Sequence, residues 1–303
     1  MKVLKFGGGC LNSVQSIKRL PVILSQYKND KIVIVVSAFQ KTTNFLESLI
    51  PEIDSFQKNI IQIEENVSSL ISYHSNILQS LMGKDFDLED FYNELFSSFK
   101  PSFSNETSFV GYIKSIKVKD QKDYDFYYDQ IVSLGEILSS RIINIFLSSK
   151  NLDNCFVDIR EVVITNSNHR AGVVDWNKTR CNMDKFFNNF PLITQGFIAG
   201  DIYKNTVTLG REGSDYSAAI IANILNAEEV ILFKDVDGIY DFDPKKNNLA
   251  IKYDFLTYDN LNVILDQGCN IVHHKTIKPL SNNNIILKIK NFNNLESKGT
   301  IIK

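Results

Sequence analysis

The sequence is short of cysteine, and its cysteines do not stand in a metal-binding spacing. The 303 residues contain four cysteines, and no two of them form a Cys-x-x-Cys pair. This pattern suggests neither a disulfide framework nor a zinc cluster. A reducing, intracellular compartment fits best. The cysteines are Cys10, Cys155, Cys181 and Cys269.

Long apolar runs and basic stripes are also missing from the sequence. The 33 basic residues nearly balance the 35 acidic ones, for a net charge of −2, and no cluster interleaves basic with aromatic side chains. The N-terminal segment MKVLKFGGGC has no signal-peptide core, and no apolar run approaches the length of a membrane span. We expect a cytoplasmic protein that binds neither nucleic acid nor membranes.

What the sequence does have is an alternation of strand-like and helix-like segments. KVLKFGGG and KIVIVVSA are β-branched runs that end in small residues, and the segment between them has apolar residues at helical spacing. Such a βαβ unit predicts a right-handed crossover between parallel strands. A mostly helical stretch follows from Thr43 to Leu147, and strands then alternate with helices again. We therefore predict an α/β protein with a mainly parallel central sheet.

A run of three glycines directly follows the first predicted strand. Backbone N–H groups of Gly7 to Gly9 can approach an anion closely, and Lys5 lies two residues earlier in the strand. The spacing is not that of a P-loop. Glycines after a strand also make ordinary tight turns, so a phosphate site and a simple turn both remain open from this motif alone.

Two further polar loops stand at the ends of predicted strands. FKDVDGIYDFDPKK places Lys234, Asp235 and Tyr240 after an apolar strand, at the edge of an open α/β sheet where ligands bind. The alternative is an ordinary Asp/Gly turn. In TVTLGREGSDYSAA, a helix N-cap would explain Ser214 or Asp215 but leaves Arg211 unexplained.

Taken together, these motifs resemble the catalytic domain of aspartate kinases, members of the amino-acid kinase family. The resemblance covers nearly the whole chain, most strongly Ile193 to Pro244 and least from about Glu52 to Asp129. It implies a three-layer αβα sandwich around a mainly parallel sheet. It also implies transfer of the ATP γ-phosphoryl group to the aspartate β-carboxylate, with Mg²⁺. The motifs that carry it are KFGGG, VVSAFQKTTN, SLGEILSSR, ITQGFIAG, TLGREGSDYSAA, KDVDGIYDFDP and GCNIVHHKTIKP.

The resemblance implies an amino-acid pocket. Arg211 would hold the α-carboxylate of the substrate, for which a planar bidentate donor is well suited. Glu136 would bind the α-ammonium, although a single helical Glu is more often a solvated surface residue. The other residues at matching positions around the amino acid are Thr43, Phe197 and Ser214.

The resemblance also implies a phosphate and nucleotide site. Lys5 and Gly8 would act on the transferring phosphoryl group, as would Asp215, which would orient Lys5 or the hydration shell of Mg²⁺ rather than remove a proton. Phosphates and water would carry the metal, so we expect no dedicated protein ligands for it. Further nucleotide-binding positions are Gly7, Gly9, Ser37, Lys234, Asp235, Tyr240, Lys245 and Asn270.

Several residues depart from the family pattern. Gly9 and Cys10 replace two hydroxyl residues, and Asn270 replaces a lysine near the ATP phosphates. Lys41 or Lys234 is a hypothetical source of the missing charge. Two alternatives to an aspartate kinase therefore stay open: a kinase of the same fold acting on another acid, and a weakened paralogue that senses nucleotide or amino acid.

We expect one catalytic domain over residues 1–303. The amino-acid lobe would run through about residue 200, and the nucleotide lobe would cover about 201–303. The resemblance further implies a homodimer without regulatory ACT domains, and it leaves the segment 52–129 as a candidate lid over the amino acid. His273 and His274 diverge on one element and have no acidic or cysteine neighbours, so we interpret them as structural.

Overall fold

The structure is a computed structural model that describes residues 1–40, 42–53, 60–99, 108–186, 189–242, 244, 247 and 249–303. The strands in these ranges are β1 (Lys2–Phe6), β2 (Ile32–Val36), β3 (Cys155–Val157), β4 (Ile164–Thr165), β5 (Leu192–Gln195), β6 (Ile198–Asp201), β7 (Thr206–Thr208), β8 (Glu229–Lys234), β9 (Phe255–Leu256), β10 (Ile286–Asn291) and β11 (Thr300–Ile302). The helices are α1 (Val14–Ile17), α2 (Leu20–Ser25), α3 (Thr42–Glu47), α4 (Ile60–Met82), α5 (Leu88–Phe99), α6 (Phe109–Ser115), α7 (Gln121–Val132), α8 (Leu134–Ser148), α9 (Trp176–Phe186), α10 (Gly213–Ile224), α11 (Tyr258–Asp266) and α12 (His274–Ser281).

The larger sheet has the strand order β3-β5-β2-β1-β8-β10-β11-β9 in the described residues. Its pairings are parallel except for β10 with β11. The prediction of an α/β sandwich around a mainly parallel sheet is confirmed. The strand β2, IVIVV, is buried at every residue, and because side chains of a strand alternate between its faces, both faces of the sheet are covered.

The order in which strands are added to the sheet changes sides at β1. The strand β2 lies on one side of β1, and β8, which comes much later in the sequence, lies on the other. Both pairings are parallel, with Phe6 opposite Val36 and opposite Phe233. Ligands of open α/β sheets bind at the carboxyl ends of strands at such a switch point.

The predicted helical stretch after β2 forms helices α3 to α8. Within the described residues, the stretch Gln121–Ser148 is long and apolar enough to cross a membrane, judged by length and composition alone. The expectation that no apolar run approaches the length of a membrane span is therefore wrong. Most of this stretch is buried inside the protein. Its apolar content is explained by packing, because α8 contacts β2, β3 and β5 of the central sheet.

A second, three-stranded sheet with the order β4-β6-β7 lies beside the first. Helix α7 connects to it through paired polar contacts. The side-chain amide of Gln130 donates to the carbonyl oxygen of Thr206 at 2.8 Å, and its Oε1 accepts from the N–H of the same residue at 3.1 Å. These two bonds pair the backbone N–H and carbonyl groups of Thr206 at the start of β7. The Gln130 side chain thus takes the place of the backbone of a neighbouring strand.

Candidate active site

Two lysines and one aspartate meet at the switch point. Nζ of Lys5, in β1, lies 2.6 Å from Oδ1 of Asp215, and Nζ of Lys234, the last residue of β8, lies 2.6 Å from Oδ2. Asp215 stands in the first turn of α10 and is completely buried. One carboxylate therefore joins the ends of two neighbouring strands to the start of a helix.

The charges of this cluster reinforce one another. Burial alone would raise the pKa of the Asp215 carboxyl, but Lys5 and Lys234 outweigh that effect and hold its pKa below the usual value. Burial would lower the pKa of Lys234, whereas the carboxylate of Asp215 raises it above the ordinary value. Both groups are thus ionised at neutral pH, and Asp215 is not a proton acceptor at that pH.

The glycine run after β1 has one position where a side chain cannot fit. A Cβ on Gly8 would come within 2.7 Å of the carbonyl oxygen of Ala38, and a Cβ on Gly7 would lie 3.3 Å from Nζ of Lys5. Around Gly9 there is open space. Close packing of the loop against the end of β2 therefore depends on Gly8.

Cys10, which follows the glycines, is buried beneath the loop. Its Sγ donates to the carbonyl oxygen of Phe233 at 3.2 Å. Burial raises the pKa of the thiol to about 11, despite the nearby charge of Lys5. Cys10 therefore has a neutral thiol that packs where β1 and β8 are adjacent, and this thiol is hydrogen-bonded to the backbone of β8.

Glu136 lies in the first turn of α8 and is buried, which is not the surface position most common for a helical Glu. The N–H of Ala38 donates to its Oε1 at 3.3 Å. Among the residues that the structure describes, its buried Oε2 has no hydrogen-bond partner. Burial raises the pKa of this carboxyl to about 8. Gly135 permits the position, because its missing Cβ would contact Ala38 and Thr42 at 3.0 and 3.3 Å.

Ser214 and Phe197 are brought to one place by two close approaches. A Cβ on Gly196 would lie 2.7 Å from Cβ of Ser214, and one on Gly213 would lie 2.6 Å from the Phe197 ring. The half-buried Phe197 has a φ of 69°, an unusual left-handed conformation for a bulky residue. Arg211 is exposed and lies two residues before Gly213 in the chain.

The remaining predicted positions are spread over three places. Ser37 is buried at the end of β2, where its carbonyl oxygen accepts from Ser139 Oγ at 2.9 Å. Thr43 is half-buried on α3, next to Thr42, which packs on Gly135. Asp235 is exposed just after Lys234. Lys245, like Lys41, lies outside the described residues.

Tyr240 and Asn270 line one cavity of about 530 Å³. Its walls come from the loop after β8 and from the end of α11 with the turn that follows it, two segments that are 20 or more residues apart in sequence. Such a volume lies within the range of small-molecule sites. The other lining residues include Val236, Gly238, Phe242, Pro244, Ile264 and Cys269.

Sequence reasoning missed another buried carboxylate, that of Asp129. Asp129, in α7, is completely buried and accepts from Thr208 Oγ1 at 2.6 Å and from the N–H of Arg170 at 2.9 Å. His169 Nδ1 lies 2.9 Å from the same carboxylate. The available signal is the pair Asp129-Gln130 ahead of the apolar run IVSL, because polar residues on the buried side of a helix require partners.

Within the described part of the chain, no group of three or more His, Cys, Asp and Glu side chains could hold a metal ion. His273 is the N-cap of α12, where its Nδ1 accepts from the N–H of Lys275 at 3.2 Å. The ring of His274 lies within 3.5 Å of Asp266 at the surface. His273 thus caps the start of α12, whereas the contact of His274 with Asp266 at the end of α11 corrects the expectation that the pair has no acidic neighbour.

Comparison with known proteins identifies the family of the chain. A family model described as "Amino acid kinase family" matches residues 1–291. The bifunctional aspartokinase/homoserine dehydrogenase 2 of Arabidopsis thaliana is 30% identical over 304 residues, which cover 99% of this chain and 32% of that protein. The chain thus spans about a third of the length of this relative.

Solved structures share the fold. E. coli aspartokinase III in complex with lysine and aspartate superposes with a TM-score of 0.83 at 24% identity, over 100% of this chain and 64% of that one. The same enzyme in complex with aspartate and ADP gives a TM-score of 0.81 at 23% identity, with the same coverage. At this level of identity the likeness supports the architecture.

Proposed function

This chain belongs to the amino acid kinase family, and from that membership we propose that it transfers the γ-phosphoryl group of ATP to the β-carboxylate of L-aspartate. One observation carries the proposal. Ala38 contacts both halves of the site, because its carbonyl oxygen packs against Gly8 while its N–H donates to Glu136. A phosphate-type loop and a buried carboxylate with an unpartnered oxygen therefore stand side by side.

Glu136 and Arg211 are the proposed receptors for the amino acid. The unpartnered Oε2 of Glu136 suits an ammonium group, which would supply both a hydrogen bond and the opposite charge. The exposed guanidinium of Arg211 would bind the α-carboxylate in bidentate fashion. Thr43, Phe197 and Ser214 would complete the pocket. Together these contacts would leave the β-carboxylate directed at the phosphoryl donor.

The chemical step needs no general base. The β-carboxylate of aspartate is already ionised at neutral pH, so one of its oxygens can attack the γ-phosphorus directly. A new oxygen–phosphorus bond forms while the bond to the bridging oxygen of ADP breaks, and the bonding electron pair leaves with ADP. The products are aspartyl phosphate and ADP.

The protein contributes fixed positive charge and alignment to this step. Lys5 and the amides of Gly7 to Gly9 would stabilise charge on the transferring phosphoryl group. Asp215 would hold Lys5 in position, because its Oδ1 lies 2.6 Å from that ammonium. Mg²⁺ would neutralise the phosphates, and both carboxylate oxygens of Asp215 already face lysines, so phosphates and water suit that ion as ligands.

The cavity lined by Tyr240 and Asn270 is the proposed site for adenine and ribose. Ser37 would lie beside the phosphates, and Asp235 and Lys245 beside the nucleotide. This arrangement divides the chain into an amino-acid lobe through about residue 200 and a nucleotide lobe over about 201–303. A homodimer in the cytoplasm that serves amino-acid biosynthesis, including that of lysine, completes the proposal. The name of one relative, a bifunctional aspartokinase/homoserine dehydrogenase, supports the choice of aspartate as acceptor.

The departures at Gly9 and Cys10 bear on the competing idea of a sensor. Cys10 gives its hydrogen bond to Phe233 rather than to a ligand, so this loop has one side-chain donor fewer for phosphate. A sensor of nucleotide or amino acid without turnover is the alternative that this contact favours.

The test is ATP turnover with aspartate, glutamate or no acceptor, with the acyl phosphate trapped as its hydroxamate. We expect aspartate-dependent product. We expect the Arg211→Ala variant to lower kcat/KM for aspartate at least about tenfold, because it loses charged hydrogen bonds. Arg180→Ala is the matched control, because Arg180 is also an exposed arginine but lies on α9, away from the turn that contains Arg211 in the sequence. ATP binding without product from any acceptor would instead establish the sensor, and product from glutamate alone would establish a different acid.

A further inference from the structure

Lys234 is not explained by the ordinary behaviour of lysines at strand ends. Only 17% of its side chain is exposed, whereas lysine side chains mostly extend into water. Its Nζ turns inward, to 2.6 Å from Oδ2 of Asp215 and 3.9 Å from Oε2 of Glu212. The ammonium of Lys234 therefore lies against the start of α10, beside Glu212 and Asp215.

Lys234 and Lys5 approach the same point from neighbouring strands. Because β1 and β8 are parallel and Phe6 is opposite Phe233, the two lysines leave the sheet at the same end. Each ammonium lies against a different oxygen of the Asp215 carboxylate. Two positive charges are thus held within one buried cluster that contains a single fully buried negative charge.

This charge count distinguishes two roles for Lys234. If its task were to neutralise Asp215, Lys5 would already be sufficient, and a second buried lysine would add an unbalanced charge at a cost in desolvation. Glu212 offsets that charge only weakly, because its side chain is 40% exposed and 3.9 Å away. An excess positive charge of this kind is stable when an anion completes the cluster.

We infer that Lys234 is a second phosphate-binding lysine, which receives the terminal phosphates of a nucleotide together with Lys5. The inference rests on the proposed kinase function and assigns Asp215 as the positioning residue for both ammonium groups. The position relative to the cavity supports it. Val236, two residues after Lys234, lines the 530 Å³ cavity, so a nucleotide seated there has its phosphates on the side of Lys234 and Lys5.

The test compares the binding of ATP and of adenosine, by calorimetry without any acceptor acid. Lys234→Met removes the charge and keeps most of the side-chain length. We expect it to weaken ATP binding at least about tenfold, as loss of a charged hydrogen bond does, and to leave adenosine binding unchanged. Unchanged adenosine affinity also shows that the cavity is still folded. If the role of the lysine were merely structural, the variant would lose affinity for adenosine and ATP alike.

Lys288→Met is the matched control. Lys288 is similarly half-buried in β10, the strand next to β8, and its ammonium pairs with Glu229 at the opposite end of the sheet. We expect this variant to bind ATP as the wild-type chain does. ATP affinity of Lys234→Met within about twofold of wild type would overturn the inference, as would an equal loss of ATP and adenosine affinity.

A second measurement uses the unaltered protein, in case Lys234→Met does not fold. The lysines are acetylated in the presence of ATP or adenosine, and the acetylation of Lys234 and Lys288 is quantified by mass spectrometry. Protection of Lys234 by ATP, but not by adenosine, is the expected result, with Lys288 unaffected. Equal acetylation of Lys234 with both compounds would contradict the inference.

These experiments separate the inference from the proposed function. Because neither contains an acceptor acid, a wild-type chain that binds ATP but makes no hydroxamate would refute the proposed reaction and still allow Lys234 to be assessed. A chain that phosphorylates aspartate, with ATP affinity independent of Lys234, would keep the proposed reaction and reject the second lysine.

Discussion

At the scale of single residues, the site depends on carboxyl groups whose surroundings give them opposite properties. Asp215 and Glu136 are both buried. Two lysines keep Asp215 ionised, whereas Glu136 accepts from the N–H of Ala38 on one oxygen and, within the described residues, has no partner on the other. The first carboxylate can orient cations within the protein, and the second is suited to receive a cation from a ligand.

Glu136 should make the binding of an amino acid depend on pH. Its pKa is raised by burial to about 8 from the usual 4.5, so in the ligand-free protein it is mostly protonated below pH 8. Because an ammonium ligand needs the carboxylate, we expect the affinity for aspartate to rise as the pH increases from 6 to 8. Calorimetric titration at several pH values measures this, and an affinity that stays constant over that range would count against the assignment.

The same group affects stability in the opposite direction. A carboxyl whose pKa is raised in the folded state binds more protons there than in the unfolded state, so stability is greatest below the unfolded pKa and falls as the pH rises toward about 8. Glu136→Gln should remove both pH dependences, because the amide does not titrate. Thermal unfolding of the ligand-free variant and of the wild type is measured between pH 5 and pH 9, in steps of about one pH unit. The compared quantity is the change of the unfolding temperature with pH in each protein.

At the scale of elements, the turn from β1 into the glycine loop fixes the distance between the phosphate site and β2. The N–H of Cys10 donates to the carbonyl oxygen of Gly7 at 2.9 Å, which closes the turn. Gly8 is the point of closest approach to Ala38. The neighbouring glycine has no such restriction, so the two positions offer a controlled pair of substitutions.

Gly8→Ala and Gly9→Ala should differ in effect although both add one methyl group. The first places a Cβ 2.7 Å from a backbone oxygen, and we expect it to lower stability by about 1–3 kcal/mol as overpacking does and to reduce ATP turnover strongly. The second meets open space, and we expect a change in stability within about 1 kcal/mol. Chemical denaturation and turnover assays measure both. Equal losses in the two variants would show that the close approach to Ala38 is not what limits the loop.

At the scale of the whole molecule, buried polar contacts join the small sheet to the rest of the protein. Asp129 links α7 to β7 through Thr208 and to the loop after β4 through His169 and Arg170. One carboxylate thus holds these three groups together. A buried network of this kind stabilises a unique arrangement of elements, provided that every member has a partner.

Removal of the Asp129 carboxylate should weaken this connection. We expect Asp129→Ala to lower the free energy of unfolding by about 3 kcal/mol, because buried donors lose their acceptor. Asp125→Ala is the control on the same helix, since it removes a partly exposed ion pair with Arg170 at 3.3 Å and an exposed hydrogen bond from Gln121 Nε2 at 2.8 Å, surface contacts worth about 1 kcal/mol or less. Urea denaturation of the two variants tests this, and a smaller effect at Asp129 than at Asp125 would refute the role of the network.

The sequence by itself determined the fold class and the positions of most strands. Buried parallel strands are runs of β-branched residues, as in IVIVV of β2, and their order with the intervening helices specifies an α/β sheet. The glycine run and the turn that contains Arg211 were recognisable for a similar reason, because their unusual residues are adjacent in the chain. Local patterns of this type do not depend on distant neighbours.

Only the tertiary structure decided how these groups are paired. Lys5, Asp215 and Lys234 are far apart in sequence, and their contact follows from the placement of β8 beside β1 and of α10 at their ends. The raised pKa of Glu136 depends on its burial beside Ala38, and the partners of Asp129 come from β7 and a distant loop. Charge and hydrogen bonding are set by neighbours in space, so the properties of these side chains arise only when the sheet brings the segments together.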